Sequence, residues 1–185
     1  PEILGAVDEG DGAAIEKPVV CPACHTPLIE TGANLFCPNR GCKPRVVAAL
    51  DHFAGKNAMD IDGFSDSTAT QLFEKGYVKT FSDLYRLTAE QLETLDGFKE
   101  KKIKNLLSAI EKSNTPAFPA FIYALGIDGI GRVAAKDLAS AFGDFEKLKQ
   151  TTAEELMQLE NIGGITANNV VSYFKNEDNL REIGQ

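Results

Sequence analysis

Four cysteines offer the clearest chemistry in this 185-residue chain, and all lie between positions 21 and 42. They form two close pairs, Cys21 with Cys24 and Cys37 with Cys42, separated by a short loop. Two such pairs supply the four thiolates of a tetrahedral zinc ion, each pair from one tight turn. Because four protein ligands leave no open coordination position, the pattern predicts a structural rather than a catalytic Zn2+ site.

Three other interpretations of the cysteines remain open. Two disulfides would require an oxidising compartment, and the sequence shows no secretion signal. A redox Cys-x-x-Cys motif, or a c-type haem attachment completed by His25, would use Cys21 and Cys24 and leave Cys37 and Cys42 unexplained. We favour the zinc site, with His25 as a neighbour that donates to a sulfur rather than as a ligand.

Beyond residue 45 the chain repeats itself at an offset of 64 residues. In both copies a threonine, Thr88 or Thr152, is followed three residues later by Gln91 or Glu155. This capping-box pattern begins a helix. Each helix leads into a tight turn, and two further turns of the same kind lie upstream. The four turns, at 61–65, 95–99, 127–131 and 159–163, predict four helix–hairpin–helix motifs in two pairs.

The predicted fold is therefore mainly α, with a small four-cysteine zinc-finger β-ribbon followed by a helical domain of four helix–hairpin–helix motifs. The expected domains are a linker region at 1–17, the finger at 18–45 and the helical domain at 46–185, whose two pairs span about 46–115 and 116–185. The chain begins at Pro1 rather than at methionine, which suggests a segment of a longer protein. No apolar run approaches the ~18 residues of a membrane span.

The turns have the composition of a phosphate-binding loop. Glycines give unusual backbone angles and let a phosphate approach closely, and the apolar residue between them anchors the loop. The helix that follows directs its free N–H groups and positive dipole end at the anion. Such contacts predict binding to DNA shape rather than to bases. The expected contact residues are Gly63 and Ser65; Gly97, Phe98, Lys99, Lys101 and Lys102; Gly129, Ile130, Gly131, Arg132 and Lys136; and Ile162, Gly163 and Gly164.

The four turns are not equivalent. The third contains both glycines of the pattern, and the second replaces its second glycine with the first of several lysines. The first turn, which ends in Ser65, matches the pattern least well. In the fourth, Asn161 replaces the leading glycine, and we expect it to tolerate left-handed backbone angles. We expect the first and fourth turns to be chiefly scaffold. Any single turn of this kind could be an ordinary helix–helix turn, and the lysine run could be a solvated helix face.

The net charge of −8 excludes binding to DNA through a broad positive field. The acidity is concentrated at the two ends of the chain, whereas residues 18–45 carry a charge of +2. Binding would therefore depend on local, backbone-based contacts.

Several motifs together resemble the bacterial NAD+-dependent DNA ligase family. They are the finger Cys21-Pro-Ala-Cys24 with Cys37-Pro-Asn-Arg-Gly-Cys42, then His52-Phe53, Ala58-Met59-Asp60-Ile61-Asp62-Gly63, and Ala124-Leu125-Gly126-Ile127 ahead of the third turn. The resemblance runs nearly end to end, and Pro1–Gly5 resembles the last strand of that family's oligonucleotide-binding domain. The resemblance therefore implies that 1–17 holds the tail of that domain and a linker. This sequence departs from the family at His25, Ser65 and Lys99, where the family usually has glycine, as well as at 43–45 and 55–56.

The resemblance implies a zinc-binding, DNA-binding segment of a bacterial cytoplasmic, nucleoid-associated enzyme that seals nicked double-stranded DNA in replication and repair. NAD+ and Mg2+ would serve other domains of the parent in cis, because these 185 residues contain no Lys-x-Asp-Gly adenylation motif. No catalytic residue is predicted here, and the segment alone should be inactive. We expect His52 to be a packed or phosphate-facing residue. The alternative is a stand-alone zinc and helix–hairpin–helix repair adaptor, which the sequence upstream of Pro1 would distinguish.

Overall fold

The computed structural model describes residues 17–183 and divides into two compact units, the first ending at Cys42 and the second beginning at Lys43. The end of an oligonucleotide-binding domain expected at 1–17 lies outside the described residues, apart from Lys17. Among the helices of residues 17–183, none is long and apolar enough to cross a membrane.

The first unit is a small β-ribbon. Strand β1 (Ile29–Thr31) pairs antiparallel with strand β2 (Asn34–Phe36), with Ile29 opposite Phe36. Both of these side chains are exposed, so the strands enclose almost no apolar core. The ribbon predicted from the sequence is confirmed, and its stability must come largely from whatever joins its cysteines.

The second unit is helical, as predicted. Within its described residues the helices are α1 (Lys43–Ala54), α2 (Asp66–Glu74), α3 (Phe81–Leu84), α4 (Ala89–Glu93), α5 (Glu100–Lys112), α6 (Phe118–Ala124), α7 (Arg132–Phe142), α8 (Phe145–Lys149), α9 (Ala153–Leu156), α10 (Gly164–Lys175) and α11 (Glu177–Ile183). The four motifs are α1–α2, α4–α5, α6–α7 and α9–α10. The short helices α3 and α8 occupy equivalent positions in the two pairs.

The repeat in the sequence corresponds to the same N-terminal capping box in two helices. Helices α4 and α9 both begin with the predicted capping box, in which Thr88 and Thr152 each accept from the backbone N–H three residues on. The glutamine or glutamate at that third position accepts from the threonine backbone in return. Both predicted boxes are confirmed, so the two pairs share the same local folding signals.

Each pair has its own apolar core. Leu50, Leu72, Leu92 and Leu106 are fully buried in the first, and Leu138, Leu148, Leu156 and Val170 in the second. The two pairs are joined in one unit by specific hydrogen bonds. His52 Nε2 donates to the Tyr123 carbonyl at 2.8 Å, and Ser82 Oγ donates to the Glu182 carbonyl at 3.1 Å. His52, which is part of α1, is thus packed against the end of α6.

Candidate metal centre and nucleic-acid interface

The four cysteine sulfurs converge, all lying within 4.8 Å of one another. Cys21 Sγ lies 3.8 Å from Cys42 Sγ, and Cys24 Sγ lies 3.5 Å from Cys37 Sγ. A zinc–sulfur bond of about 2.3 Å in tetrahedral geometry separates the sulfurs by roughly 3.8 Å. All four cysteines are free, and their sulfurs are arranged as a metal site requires. A four-cysteine, zinc-finger-like cluster is therefore present in the first unit.

The cysteines differ in electrostatic environment. Hydrogen bonds with the Thr26 side chain and backbone lower the pKa of Cys24 to about 5, which favours the thiolate form of this sulfur. Desolvation raises the pKa of Cys42 to about 12 and also raises that of Cys37. A metal that binds here displaces protons from these thiols, so its affinity increases with pH.

His25 lies beside the cluster and outside it. Its side chain is exposed, and its backbone N–H donates to the Cys21 carbonyl at 2.8 Å. Its φ is 57°, in the left-handed region that glycine adopts most readily. This angle explains why a glycine would suit the position, as in the family that the sequence resembles.

The four hairpins share one backbone design, and we number them in chain order: hairpin 1 (61–65), hairpin 2 (95–99), hairpin 3 (127–131) and hairpin 4 (159–163). In each, the N–H of the fourth residue donates to the carbonyl of the first. That fourth residue is the apolar anchor. Phe98, Ile130 and Ile162 are buried, whereas Phe64 is half-buried. The expected anchoring is thus seen fully in three hairpins.

Within each pair, the hairpins contact the helices of their partner motifs. Gln71 of α2 accepts from the Asp96 backbone N–H of hairpin 2 at 2.6 Å. Asn169 of α10 donates to the Asp128 carbonyl of hairpin 3 at 3.1 Å. In hairpin 4, Asn161 Nδ2 donates to Asp137 Oδ2 of α7 at 2.7 Å. These contacts fix hairpins 2, 3 and 4 relative to a helix of the partner motif.

These contact residues were not predicted from the sequence, although a signal for them exists. Gln71, Asp137 and Asn169 all stand at the sixth position of the helix after a hairpin, and Asn105 occupies that position in α5. A polar side chain at a fixed distance beyond each turn is visible in the repeat, but only the folded pairs show which loop it contacts.

The helix N-termini beyond the hairpins divide into two classes. Ser65 caps α2 by accepting from the Thr68 N–H, and the first turns of α2 and α5 contain Asp66 and Glu100. Helices α7 and α10 begin after Gly131 and Gly163, with no side-chain cap and no acidic residue in the first turn. Their N–H groups and positive dipole ends are therefore uncompensated by their own side chains, which favours an anion there.

The glycines have different roles from those expected. Gly129 has φ +87°, and a Cβ added there would lie 2.7 Å from Thr166 Oγ1, so this position requires glycine. Gly131 and Gly163 have ordinary φ values of −86° and −81°, with open space where a Cβ would be. A side chain at either position would not strain the backbone, but it would restrict access by an outside group.

The expectation that Asn161 uses left-handed angles is wrong, because its φ is not positive. Its amide holds Asp137 instead.

The remaining expected contact residues are accessible. The glycines, Ser65, Arg132 and the lysines of the set are exposed, whereas Phe98, Ile130 and Ile162 are buried anchors. Lys102 Nζ lies 3.8 Å from the centre of the Phe98 ring, which holds this lysine over hairpin 2. Arg132 donates to Asn57 Oδ1 at 3.2 Å, linking hairpin 3 to the first pair.

Comparison with known proteins agrees with this architecture. Residues 56–112 match a family model described as a SAM-like helix–hairpin–helix tandem, and residues 120–183 match one described as a helix–hairpin–helix motif. The chain is 47% identical over 186 aligned residues to a DNA ligase of Alkaliphilus metalliredigens, covering 99% of this chain and 28% of that protein. It is 46% identical over 180 residues to DNA ligase 2 of Clostridium acetobutylicum, covering 96% and 27%.

A DNA ligase of Clostridium perfringens is 46% identical over 188 residues, covering 100% of this chain and 28% of the relative. The chain thus spans little more than a quarter of the length of the curated relatives that it matches. Over nearly all of its length the chain is homologous to a segment of proteins named DNA ligase, and it combines a four-cysteine cluster with two helix–hairpin–helix regions.

Proposed function

We propose that this chain is the DNA-binding portion of a bacterial NAD+-dependent DNA ligase, and that it holds the phosphate backbone of a nicked duplex. The single observation that carries the proposal is the pair of uncapped, acid-free helix N-termini after Gly131 and Gly163. Each offers several backbone N–H groups to one phosphate without any base contact.

The second pair would hold the backbone most strongly. Its two hairpins are fixed by the Asp128–Asn169 and Asn161–Asp137 hydrogen bonds, so the N–H groups need little reorganisation on binding. Arg132 and Lys136 are exposed on the first turns of α7 and add positive charge. We therefore expect hairpin 4 to bind the phosphate backbone about as strongly as hairpin 3, although its missing first glycine had suggested a scaffold role.

In the first pair, exposed lysines would supplement weaker helix ends. Lys99, Lys101, Lys102 and Lys104 surround the start of α5, and no carboxylate of residues 17–183 forms a salt bridge with them. Their positive charges offset the negative charge of Glu100 in the first turn of α5. Hairpin 1 has Ser65 as its own cap and contributes least.

The rest of the reaction would belong to other domains of the parent protein, joined in cis. Adenylation of a lysine with NAD+ and nick sealing with Mg2+ would take place there, in the cytoplasm at the nucleoid, and the segment alone would be inactive. The cysteine cluster would hold a structural Zn2+, because four sulfur ligands complete its tetrahedral coordination. The contribution of this segment is to position the duplex on both sides of the nick.

The proposal is tested by the salt dependence of binding. Fluorescence anisotropy with the 185-residue chain and a nicked duplex should give a log–log slope of affinity against salt of roughly −2 to −4, as expected for a few phosphate contacts. A duplex of scrambled sequence should bind equally well. Absence of binding, or affinity that depends on sequence and not on salt, would contradict the proposal.

A further inference from the structure

Exposed apolar side chains lie at the starts of α7 and α10. Val133 is 62% exposed and Ile165 is 83% exposed. Each stands at the second position of the helix that follows a hairpin, two residues beyond Gly131 or Gly163. The matching positions of α2 and α5 hold Ser67 and Lys101. A single exposed apolar residue needs no explanation, but the same exposure at two equivalent positions of one pair does.

Hairpin 3, which leads into α7, is in contact with the first turn of α10. The side chain of Thr166, next to Ile165, lies so close to hairpin 3 that a Cβ on Gly129 would be 2.7 Å from it. The first turn of α10 therefore lies against the loop that leads into α7. Met157, which is 46% exposed, adds apolar area, because its Sδ would lie 3.6 Å from a Cβ on Gly164. We call Val133, Met157 and Ile165 the apolar tip.

The surroundings of the apolar tip identify a partner. The uncapped first turns of α7 and α10 contain no acidic residue, and Arg132 and Lys136 flank Val133. The apolar tip thus lies between groups that attract anions. A duplex presents the complementary arrangement in its minor groove, where two rows of phosphates border walls formed by the C–H groups of the sugars.

We propose that Val133 and Ile165 pack against deoxyribose rings in the minor groove while the adjacent helix ends hold phosphates. This inference rests on the proposed function and adds the sugar as a recognised group. In an RNA duplex the wide, shallow minor groove displays 2′-hydroxyls, and an apolar contact would leave these hydroxyls without hydrogen bonds. The apolar tip therefore selects DNA strands over RNA strands.

The test replaces both residues by threonine, which keeps the β-branch and introduces a hydroxyl. Because the two side chains are exposed, V133T/I165T should fold as the parent chain does. Its affinity for a nicked DNA duplex should fall about tenfold, the effect of losing apolar contact from two side chains. The slope of affinity against salt should not change, because no phosphate contact is lost. Affinity for an RNA duplex of the same sequence should not fall.

The matched control V133I/I165V retains apolar character and should bind DNA like the parent chain. The inference is overturned if V133T/I165T binds DNA with unchanged affinity, or if it loses DNA and RNA affinity equally. It is also overturned if the parent chain forms a dimer that the variant does not, since the apolar tip would then join two copies. If the parent chain itself binds no DNA, the proposed function fails first, so the two failures are distinguishable.

Discussion

Replacement of Cys42 by serine should abolish metal binding and unfold residues 17–42 while the helices of the second unit remain folded. Cys42 is 2% exposed, and its sulfur lies 3.8 Å from that of Cys21. The strands enclose almost no apolar core, whereas each helical pair has its own. The apparent free energy of zinc binding to such sites, roughly 10–16 kcal/mol, is in effect the folding free energy of the ribbon.

Native mass spectrometry checks the metal, with one zinc ion expected per parent chain and none in C42S. Circular dichroism should show nearly unchanged helical signal in the variant. Treatment of the parent chain with a zinc chelator serves as the matched control and should give the same spectrum as C42S. A parent chain that contains two disulfides and no metal would contradict the zinc assignment.

The double substitution Gly131→Val and Gly163→Val should reduce affinity for a nicked duplex on the order of a hundredfold, from the loss of two charge-assisted contacts. Both positions have ordinary backbone angles and open space around a Cβ, so the chain should accommodate valine. A β-branched side chain there would prevent a phosphate from reaching the helix N–H groups. Loss of glycine at two N-caps should cost about 1 kcal/mol each, measurable by thermal unfolding.

Two single variants separate binding from folding. Ser65→Ala removes the only one of these four caps that bonds through its side chain, and it should lower stability by about 1 kcal/mol with little effect on DNA affinity. Gly129→Val should unfold the second pair, because valine is strained at φ +87° and would clash with Thr166. If the double valine variant is folded and binds DNA normally, hairpins 3 and 4 are only structural.

Local signals in the sequence were enough to predict the motifs. The capping boxes at Thr88 and Thr152 act within one helical turn, so residue types alone identify them. The same holds for the cysteine pairs, which each come from one tight turn. The buried anchors Phe98, Ile130 and Ile162 also follow from apolar residues at a fixed place in a repeated loop.

What could not be predicted depends on contacts between distant residues. Nothing local to Gly129 shows that it faces Thr166 of the next motif, and nothing local to Asn161 shows that Asp137 engages its amide. That hydrogen bond replaces the left-handed turn expected of Asn161. The contribution to phosphate binding that we expect of hairpin 4 changed for the same reason. Composition alone does not show that Gly163 precedes an uncapped helix that contacts hairpin 3.

An NMR titration of the 15N-labelled chain with nicked duplex DNA tests the central claim most directly, because it reports on individual backbone N–H groups. The largest amide shifts should occur at 131–133 and 163–165, with smaller changes near Lys99 and almost none at Ser65. Shifts confined to other surfaces, with the amides after Gly131 and Gly163 unmoved at saturation, would contradict the claim that these helix ends hold the phosphate backbone.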